Sequence, residues 1–401
     1  MSCVLPKPAA ADWISLSGAE NAPTIAEIRV NDDHVKVDLE IFVDDLMAFH
    51  YLLPEEFFKD TDITPPPLAV RMRAFSDDGF QVITGDGKKL QAQLKLVEQR
   101  LRKERPSPLA GKFNPYTGQP IPGPPDDKRV LYAELVYPFS KKPGSLTFIP
   151  PLTREGRSTV SIGFIAYHME VPTIDFRFLP ASCAMTLDWD DPWYSEFDER
   201  ALKRWQRGSV MSFLYIEPFE VRHEILARVK DLEAWLDLGL SGDEFIEADE
   251  NDALKQRVGE FFLENDRLLI DGQKLRPILD RTAFVKYSMT GSTFLDQAEQ
   301  LPINNAMLGV IITYLVSEMP KQVEYEWNLW SDRIQKIPTN AIDPAGGLPS
   351  YLTPEDNLAS WTNYLKKYQA PTVTSVALDE SLTTWTLPIP SILCLLAVPF
   401  I

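Results

Sequence analysis

The sequence predicts a mainly β protein made of tandem β-sandwich modules related by internal duplication, and three observations carry that prediction. Residues 24–49, TIAEIRVNDDHVKVDLEIFVDDLMAF, align without a gap on 210–235, VMSFLYIEPFEVRHEILARVKDLEAW, at an offset of 186; Val35 meets Val221, Leu39 meets Ile225, Val43 meets Val229, and Asp45-Leu46 meet Asp231-Leu232. QVITGDGKKLQAQL (81–94) returns as RLLIDGQKLRPIL (267–279), with Asp86-Gly87 and Leu90 on Asp271-Gly272 and Leu275 at an offset of 185. LYAELVYPFSKKPGSLTF (131–148) falls on LGVIITYLVSEMPKQVEY (308–325), with Tyr137 on Tyr314 and Pro143 on Pro320 at an offset of 177. Chance is the competing explanation, because Asp-Gly is a common hairpin corner and alternating strands resemble one another. Conserved order and one explicable length change favour duplication. The first copy carries PSPLAGKFNPYTGQPIPGPPDD (106–127), a Pro/Gly-rich loop with no counterpart of that composition in the second.

Taken in order, residues 1–22 form an N-terminal segment and 23–197 the first module. It opens with strand, turn, strand and an Asp-Leu corner. PPPLAVRMRAF (65–75) alternates like a strand, but its partner region, DENDALKQRVGEFFLEN (249–265), repeats Leu254, Val258 and Phe261 at helical spacing, with Asp249 or Asn251 as cap. Leu68, Met72 and Phe75 share that spacing behind a proline run suited to a helix entry, so both stretches are predicted helices. A strand, the Asp-Gly hairpin, another strand and two more around the shared Tyr and Pro follow. STVSIGFIAYHMEVPTIDFRFLPASCAMTLDW (158–189) adds about three strands. The result is a sandwich of immunoglobulin-like size with one helical crossover, lacking the Cys-Trp-Cys hallmark of true immunoglobulin domains.

Residues 198–209 read as a linker containing the amphipathic DERALKRW, and 210–340 as the second module. The last stretch, 341–401, reads as a Pro/Gly-rich loop (DPAGGLPSYLTPEDN, 343–357), a short helix and C-terminal strands. EDNLASW (355–361) echoes the linker, which raises the start of a third module. The apolar IPSILCLLAVPFI (389–401) is too short to span a bilayer; it reads as a core strand, a strand awaiting a partner, or the first part of a membrane segment. PKPAAADW (6–13) resembles the end of a secretory signal, but the apolar run that should precede it is missing.

A chain of 401 residues with 58 acidic and 40 basic side chains, net charge -18, exceeds one core and would repel a phosphate backbone, so nucleic acid is not an expected partner. Three separated cysteines exclude a C-x-x-C zinc site. Phosphate-binding glycine loops and the G-x-S-x-G elbow are absent, so no cofactor, metal or catalytic residue is assigned.

The densest acidic stretch is LDWDDPWYSEFDE (187–199), where Asp188, Asp190 and Asp191 flank Trp189 and Trp193. Closely spaced carboxylates can hold calcium, and tryptophans beside acids suit a sugar, although a solvated Asp-Pro turn explains the same residues. His223 alternates with Val221 and Ile225 and replaces Val37 of the first copy, which predicts a buried, hydrogen-bonded histidine. His168 alternates with Ala166 and Glu170 and is expected at solvent or a loop; Cys183 is expected to be a small buried group.

Two functions follow as expectations. The first is a non-enzymatic tandem β-sandwich binding or structural protein that meets a protein or glycan partner. It would be periplasmic or at the cell surface and attached to a membrane through sequence outside this chain, with a cytoplasmic location as the alternative. The second is a carbohydrate-active or other hydrolase using carboxylates near Asp188–Asp191, in the 188–199 region, paired with those of the 217–224 strand, which requires them to converge about 5–10 Å apart in a cleft.

Overall fold

The computed structural model describes residues 17–365 except 60, 61, 63, 108, 115, 116, 204–207, 241, 289, 290 and 296. The signal-like stretch at 6–13 and the apolar stretch at 389–401 lie outside the described residues.

The first repeat contains β1 (Thr24–Val30), β2 (His34–Phe42), α1 (Leu68–Asp78), β3 (Gln81–Thr84), β4 (Gln93–Leu101), β5 (Arg129–Pro138), β6 (Ser145–Ile149), β7 (Ile162–His168), β8 (Val171–Phe178), β9 (Cys183–Thr186) and β10 (Glu196–Phe197). The second contains β11 (Val210–Ile216), β12 (Glu220–Arg228), α2 (Val229–Leu232), β13 (Phe245–Ile246), α3 (Asn251–Asn265), β14 (Leu268–Ile270), β15 (Ile278–Ser288), β16 (Gly291–Phe294), β17 (Leu301–Pro302), β18 (Met307–Leu315), β19 (Gln322–Glu326), β20 (Ile337–Asp343), β21 (Gly346–Leu352) and β22 (Leu358–Thr362).

Both repeats build the same mixed sheet. The first runs β4-β5-β2-β1-β7-β8, and the second runs β15-β18-β12-β11-β20-β21 with β16 added outside β15. In each, one inner pair is parallel, β1 with β7 and β11 with β20. A smaller sheet accompanies each: β10-β9-β6-β3 and β14-β19-β22. The registers agree with the sequence offsets in the large sheets; in the small sheets β3 lies on β14 at an offset of 186, one more than at the Asp-Gly corner. Val37 faces Ile28 as His223 faces Leu214; Tyr137 faces Val35 as Tyr314 faces Val221; Val82 faces Phe148 as Leu268 faces Tyr325. The molecule is thus mainly β, with two similar six-strand sheets and smaller sheets beside them.

Alternation explains the cores. Val35, Val37, Leu39 and Ile41 of β2 form one cluster with Phe75 of α1, Val82 of β3, Phe148 of β6 and Met185 of β9; the second repeat gathers Val221, Ile225, Val258, Phe262, Val323 and Trp361 in the same way. Both predicted helices are present, with modest shifts. In α1 the buried positions are Arg71, Met72, Phe75 and Ser76 while Leu68 is exposed; in α3, Phe262 is more deeply buried than Phe261, and the cap position is Glu250.

Two local expectations are corrected. The stretch 343–357, read as a loop or linker, contains the end of β20 and all of β21, a hairpin turning on Pro344 and Ala345. Leu358–Thr362 is a strand of the second small sheet, corresponding to β9 and not to the segment around residue 200 that it echoes in sequence. Residues beyond 365, where further strands of a third module were expected, lie outside the described residues.

Candidate functional site

The acidic turn at 188–195 lies where the two repeats meet, and its residues point in different directions. Asp188 turns back on the chain: its Oδ1 accepts the N–H groups of Asp190 (3.0 Å) and Asp191 (2.8 Å). Asp190 is exposed. Trp189 packs against the first core and donates its indole N–H to the Pro143 carbonyl at 2.7 Å, with Lys142 Nζ 4.7 Å from its ring centre.

Asp191 is buried and faces the second repeat. Its carboxylate is gripped by the Arg228 guanidinium at 2.7 and 2.9 Å and takes a further 2.7 Å bond from Arg333. Lys230 lies 3.8 Å away, and Arg228 also reaches Asp231 at 3.2 Å. Burial works to raise the Asp191 carboxyl, but Arg228 and then Lys230 outweigh it and hold it below the usual range; Asp231 is raised by burial despite Arg228. Arg228 also lies over the buried Trp193 ring, 5.0 Å from its centre. Trp193 and Val171 pack with Met211, Phe213, Val285 and Met307 on the outer face of the second sheet.

Of the five residues singled out from sequence, Asp191 and Trp193 therefore face the second repeat, Asp188 and Trp189 hold the turn against the first, and Asp190 is exposed. A calcium ion takes six to eight oxygens, whereas here Asp191 is occupied by two arginines and Asp188 by backbone amides. Trp193 is buried, and Trp189 is half-buried with Lys142 over its ring. Among the described residues, no group of three or more His, Cys, Asp or Glu is placed to hold a metal ion.

His168 corrects its expectation. It is fully buried, with Nδ1 2.7 Å from Ser195 Oγ and its ring edge-on to Trp189 at 4.4 Å. Its Nε2 is buried with no hydrogen-bond partner among the described residues. Burial lowers its pKa to about 4 against a smaller opposing pull from Asp188. Ala166 and His168 do share a face, as alternation required. Glu170, however, sits in the hairpin turn at φ 63° beside Met169 at φ 46°, so its polarity said nothing about where that face points. Cys183 is buried and free, and burial pushes its thiol well above the usual value.

A second constellation was only partly visible in the sequence. His223 is fully buried, as expected, and stands between Ser212 Oγ, 2.9 Å from Nε2, and Asp266 Oδ1, 2.9 Å from Nδ1. Tyr314 donates its hydroxyl to Asp266 Oδ2 at 2.8 Å, and Tyr325 meets the imidazole edge at 4.3 Å. Serine, histidine and aspartate in this order are spaced like an acyl-transfer relay. Ser212 and His223 are nevertheless inaccessible, and the small cavity of about 10 Å³ beside Asp266 has room for one water and is not lined by Ser212. The arrangement can satisfy buried polar groups but cannot present the hydroxyl to a substrate. The signal that could have found it lay in the repeat: Ser212, His223 and Asp266 stand where the first repeat has Ala26, Val37 and Phe80.

The first repeat's outer sheet face carries a third feature, a charged groove of about 390 Å³. Arg105, nearly buried, joins Glu27 at 3.0 Å and Glu40 at 2.7 Å; Arg100 lies 3.5 Å over the Tyr132 ring, whose hydroxyl donates to Asp38. Burial opposes ionisation of Glu27, but Lys103 and Arg105 prevail and lower its pKa. The charges here are mutually paired, which describes a sealed surface more than a reactive one. No family model matches the chain, and comparison with curated proteins finds no match.

Proposed function

We propose that the chain is a non-enzymatic, repeat-built binding or structural protein that meets a protein or glycan partner. The observation that carries this reading is the joint: the most conspicuous acidic and aromatic residues are consumed in fixing one repeat to the next through Asp191 and Arg228. Two coupled repeats extend the surface available to a partner without requiring a catalytic cleft. Within each repeat, the large sheet and its smaller companion act as the two layers of an immunoglobulin-sized sandwich; support comes from single cores that draw side chains from both sheets. The signal-like residues 6–13 and the apolar residues 389–401 support placing the chain outside the cytoplasm as part of a membrane-associated protein.

The test is to incubate the full chain with a glycan array and with panels of chromogenic glycosides and esters. Binding without turnover is the expected result. Turnover that disappears in Asp190→Asn or Ser212→Ala would replace this reading with the hydrolase alternative.

A further inference from the structure

The two repeats make the turn after their first small-sheet strand differently. In the second, the hairpin after β14 has two loop residues, Asp271 and Gly272, closed by bonds of 2.9 Å in both directions between Ile270 and Gln273. Asp271 donates its N–H to the Gln322 carbonyl at 2.9 Å. Its side chain then takes two bonds back: Oδ1 accepts the N–H groups of Lys321 and Gln322, both at 2.8 Å. Two successive backbone amides thus share one carboxylate, which is how backbone nests hold anions.

In the first repeat the loop after β3 is one residue longer, Gly85-Asp86-Gly87, with Thr84 N–H donating to the Lys88 carbonyl at 2.9 Å. Register therefore puts Gly85, and not Asp86, in the place of Asp271: Gly85 N–H donates to the Ser145 carbonyl at 2.9 Å, as Asp271 does to Gln322. Asp86 is spent on its own loop, where its carboxylate takes the Thr84 hydroxyl and the Lys88 N–H. Gly144 and Ser145 stand where Lys321 and Gln322 do, yet among the described residues no side chain accepts their N–H groups. A cleft of about 450 Å³ opens beside them, lined among others by Gly85, Lys88, Lys141, Lys142, Gly144 and Ser145. The charge has changed as well: Lys88, Lys141 and Lys142 replace Gln273, Glu318 and Met319 of the second repeat. Lys142 is engaged by Asp32 at 2.6 Å, while Lys88 and Lys141 are exposed.

We propose that this cleft, between the Thr84–Lys88 and Phe139–Ser145 turns, binds a carboxylate carried by an acidic peptide segment of a partner protein, which takes the place that Asp271 fills in the second repeat. This rests on the binding-protein reading and names the partner's chemistry. The molecule itself displays the fitting group, an aspartate on a peptide backbone held by two successive amides. Where the chain supplies that carboxylate, the three lysines are missing; where it does not, they converge in a protein of net charge -18. The Gly144 and Ser145 amides are the donors, joined by Ser145 Oγ, which lies where a side chain at Gly85 would enter. Lys88 and Lys141 add charge complementarity at the rim.

The experiment titrates the full chain with a fluorescein-labelled hexaglutamate peptide and its hexaglutamine counterpart, read by anisotropy, with amide hydrogen exchange followed in 139–145. Saturable binding of the glutamate peptide alone is expected, with slower exchange at Gly144 and Ser145. Affinity should be at least about tenfold weaker in Gly85→Asp, which supplies the carboxylate from within, and in Lys141→Glu, which restores the charge of the second repeat. A side chain at Gly85 meets only the Ser145 side chain, whose hydroxyl can rotate away, and Lys141 is exposed, so neither change threatens folding. Absence of saturable binding, equal binding of the glutamine peptide, or binding that leaves both variants and the exchange at 144–145 unaffected overturns the site. Tighter binding of an oligogalacturonate at the same amides would overturn the peptide and assign the carboxylate to an acidic glycan. Peptide or glycan binding elsewhere leaves the binding-protein reading standing, whereas turnover in the substrate panels removes that reading itself.

Discussion

The two repeats share a topology and differ in how they close it. At Ala26, Val37 and Phe80 the first repeat is apolar, and Tyr137 donates its hydroxyl to the Phe80 carbonyl at 2.6 Å. At Ser212, His223 and Asp266 the second is polar, and Tyr314 donates to the Asp266 side chain instead. The tyrosine is retained while its acceptor moves from backbone to carboxylate. The outer faces differ in the opposite sense: Glu27, Glu40 and Arg100 of the first stand where the second has Phe213, Leu226 and Val285. Each face matches what covers it, a charged connection in one case and the tip of the preceding repeat in the other. The fold therefore does not require the polar core of the second repeat or the charged face of the first; these belong to each repeat's surroundings.

The largest effect is expected at the joint. Arg228→Ala leaves Asp191 and Asp231 buried without their main cation, and removing one partner of a buried pair costs about 3–5 kcal/mol. Denaturant unfolding of the variant checks this. A loss well below that range would mean that the repeats are joined mainly by the apolar contacts of Trp193 and Phe213. Phe42 occupies the corresponding place in the first repeat, so the shared fold does not itself require an arginine there.

The next effect separates the repeats by pH. His168 is fully buried and titrates at about 4 in the folded chain, against about 6.5 when unfolded. Between those values the unfolded state binds more protons, so the stability from keeping this imidazole neutral is complete above pH 6.5 and lost as pH falls toward 4. The two-and-a-half-unit gap corresponds to about 3 kcal/mol. Its counterpart in the second repeat is Asp343, which accepts the Trp361 indole N–H at 3.0 Å. Urea midpoints at pH 7 and pH 4.5 should converge in His168→Gln relative to the parent chain. An unchanged difference would assign the acid sensitivity to other groups. Trp189, edge-on to the imidazole, supplies a local fluorescence signal.

A smaller effect is expected where the first repeat is sealed. Arg105→Ala removes nearly buried bonds to Glu27 and Glu40, although Lys103 and Arg100 remain near those carboxylates. A loss of about 1–3 kcal/mol is expected, with faster amide exchange in 102–107 and unchanged exchange in β16. Equal loosening of both regions would mean that the two connections do not close their repeats independently.

The similarity of the two sheets was legible because the matched segments keep their order and spacing, and the paired registers follow those offsets except at β3 and β14, which match one residue further on than the Asp-Gly corner. The helices were legible because Leu254 and Val258 recur with helical period. The hairpin at 337–352 was not, because GGLPSYL combines glycine and proline with no clean alternation. The joint was hidden for another reason: Asp191 finds Arg228 and Arg333 at sequence separations of 37 and 142 residues, and nothing local marks such a pairing. An acidic turn beside tryptophans has the same composition whether it holds a ligand or another part of its own chain. Ser212 and Asp266 likewise carry no motif individually. They become conspicuous only when the two copies are compared position by position.

That comparison yields the prediction with the smallest expected effect. His223→Val alone removes the partner of a buried serine and a buried carboxylate, and a loss of about 2 kcal/mol is expected. Making Ser212→Ala, His223→Val and Asp266→Phe together gives the second repeat the side chains of the first at these positions. Replacing a whole buried polar set by apolar groups of suitable shape can be nearly neutral, so the triple variant should lie within about 1 kcal/mol of the parent and above His223→Val. Thermal unfolding of the single and triple variants measures the non-additivity directly. A triple variant less stable than the single would show that the polar set is packed into the second repeat in a way its apolar counterpart cannot reproduce. The equivalence of the two cores would then hold for the backbone but not for the side chains.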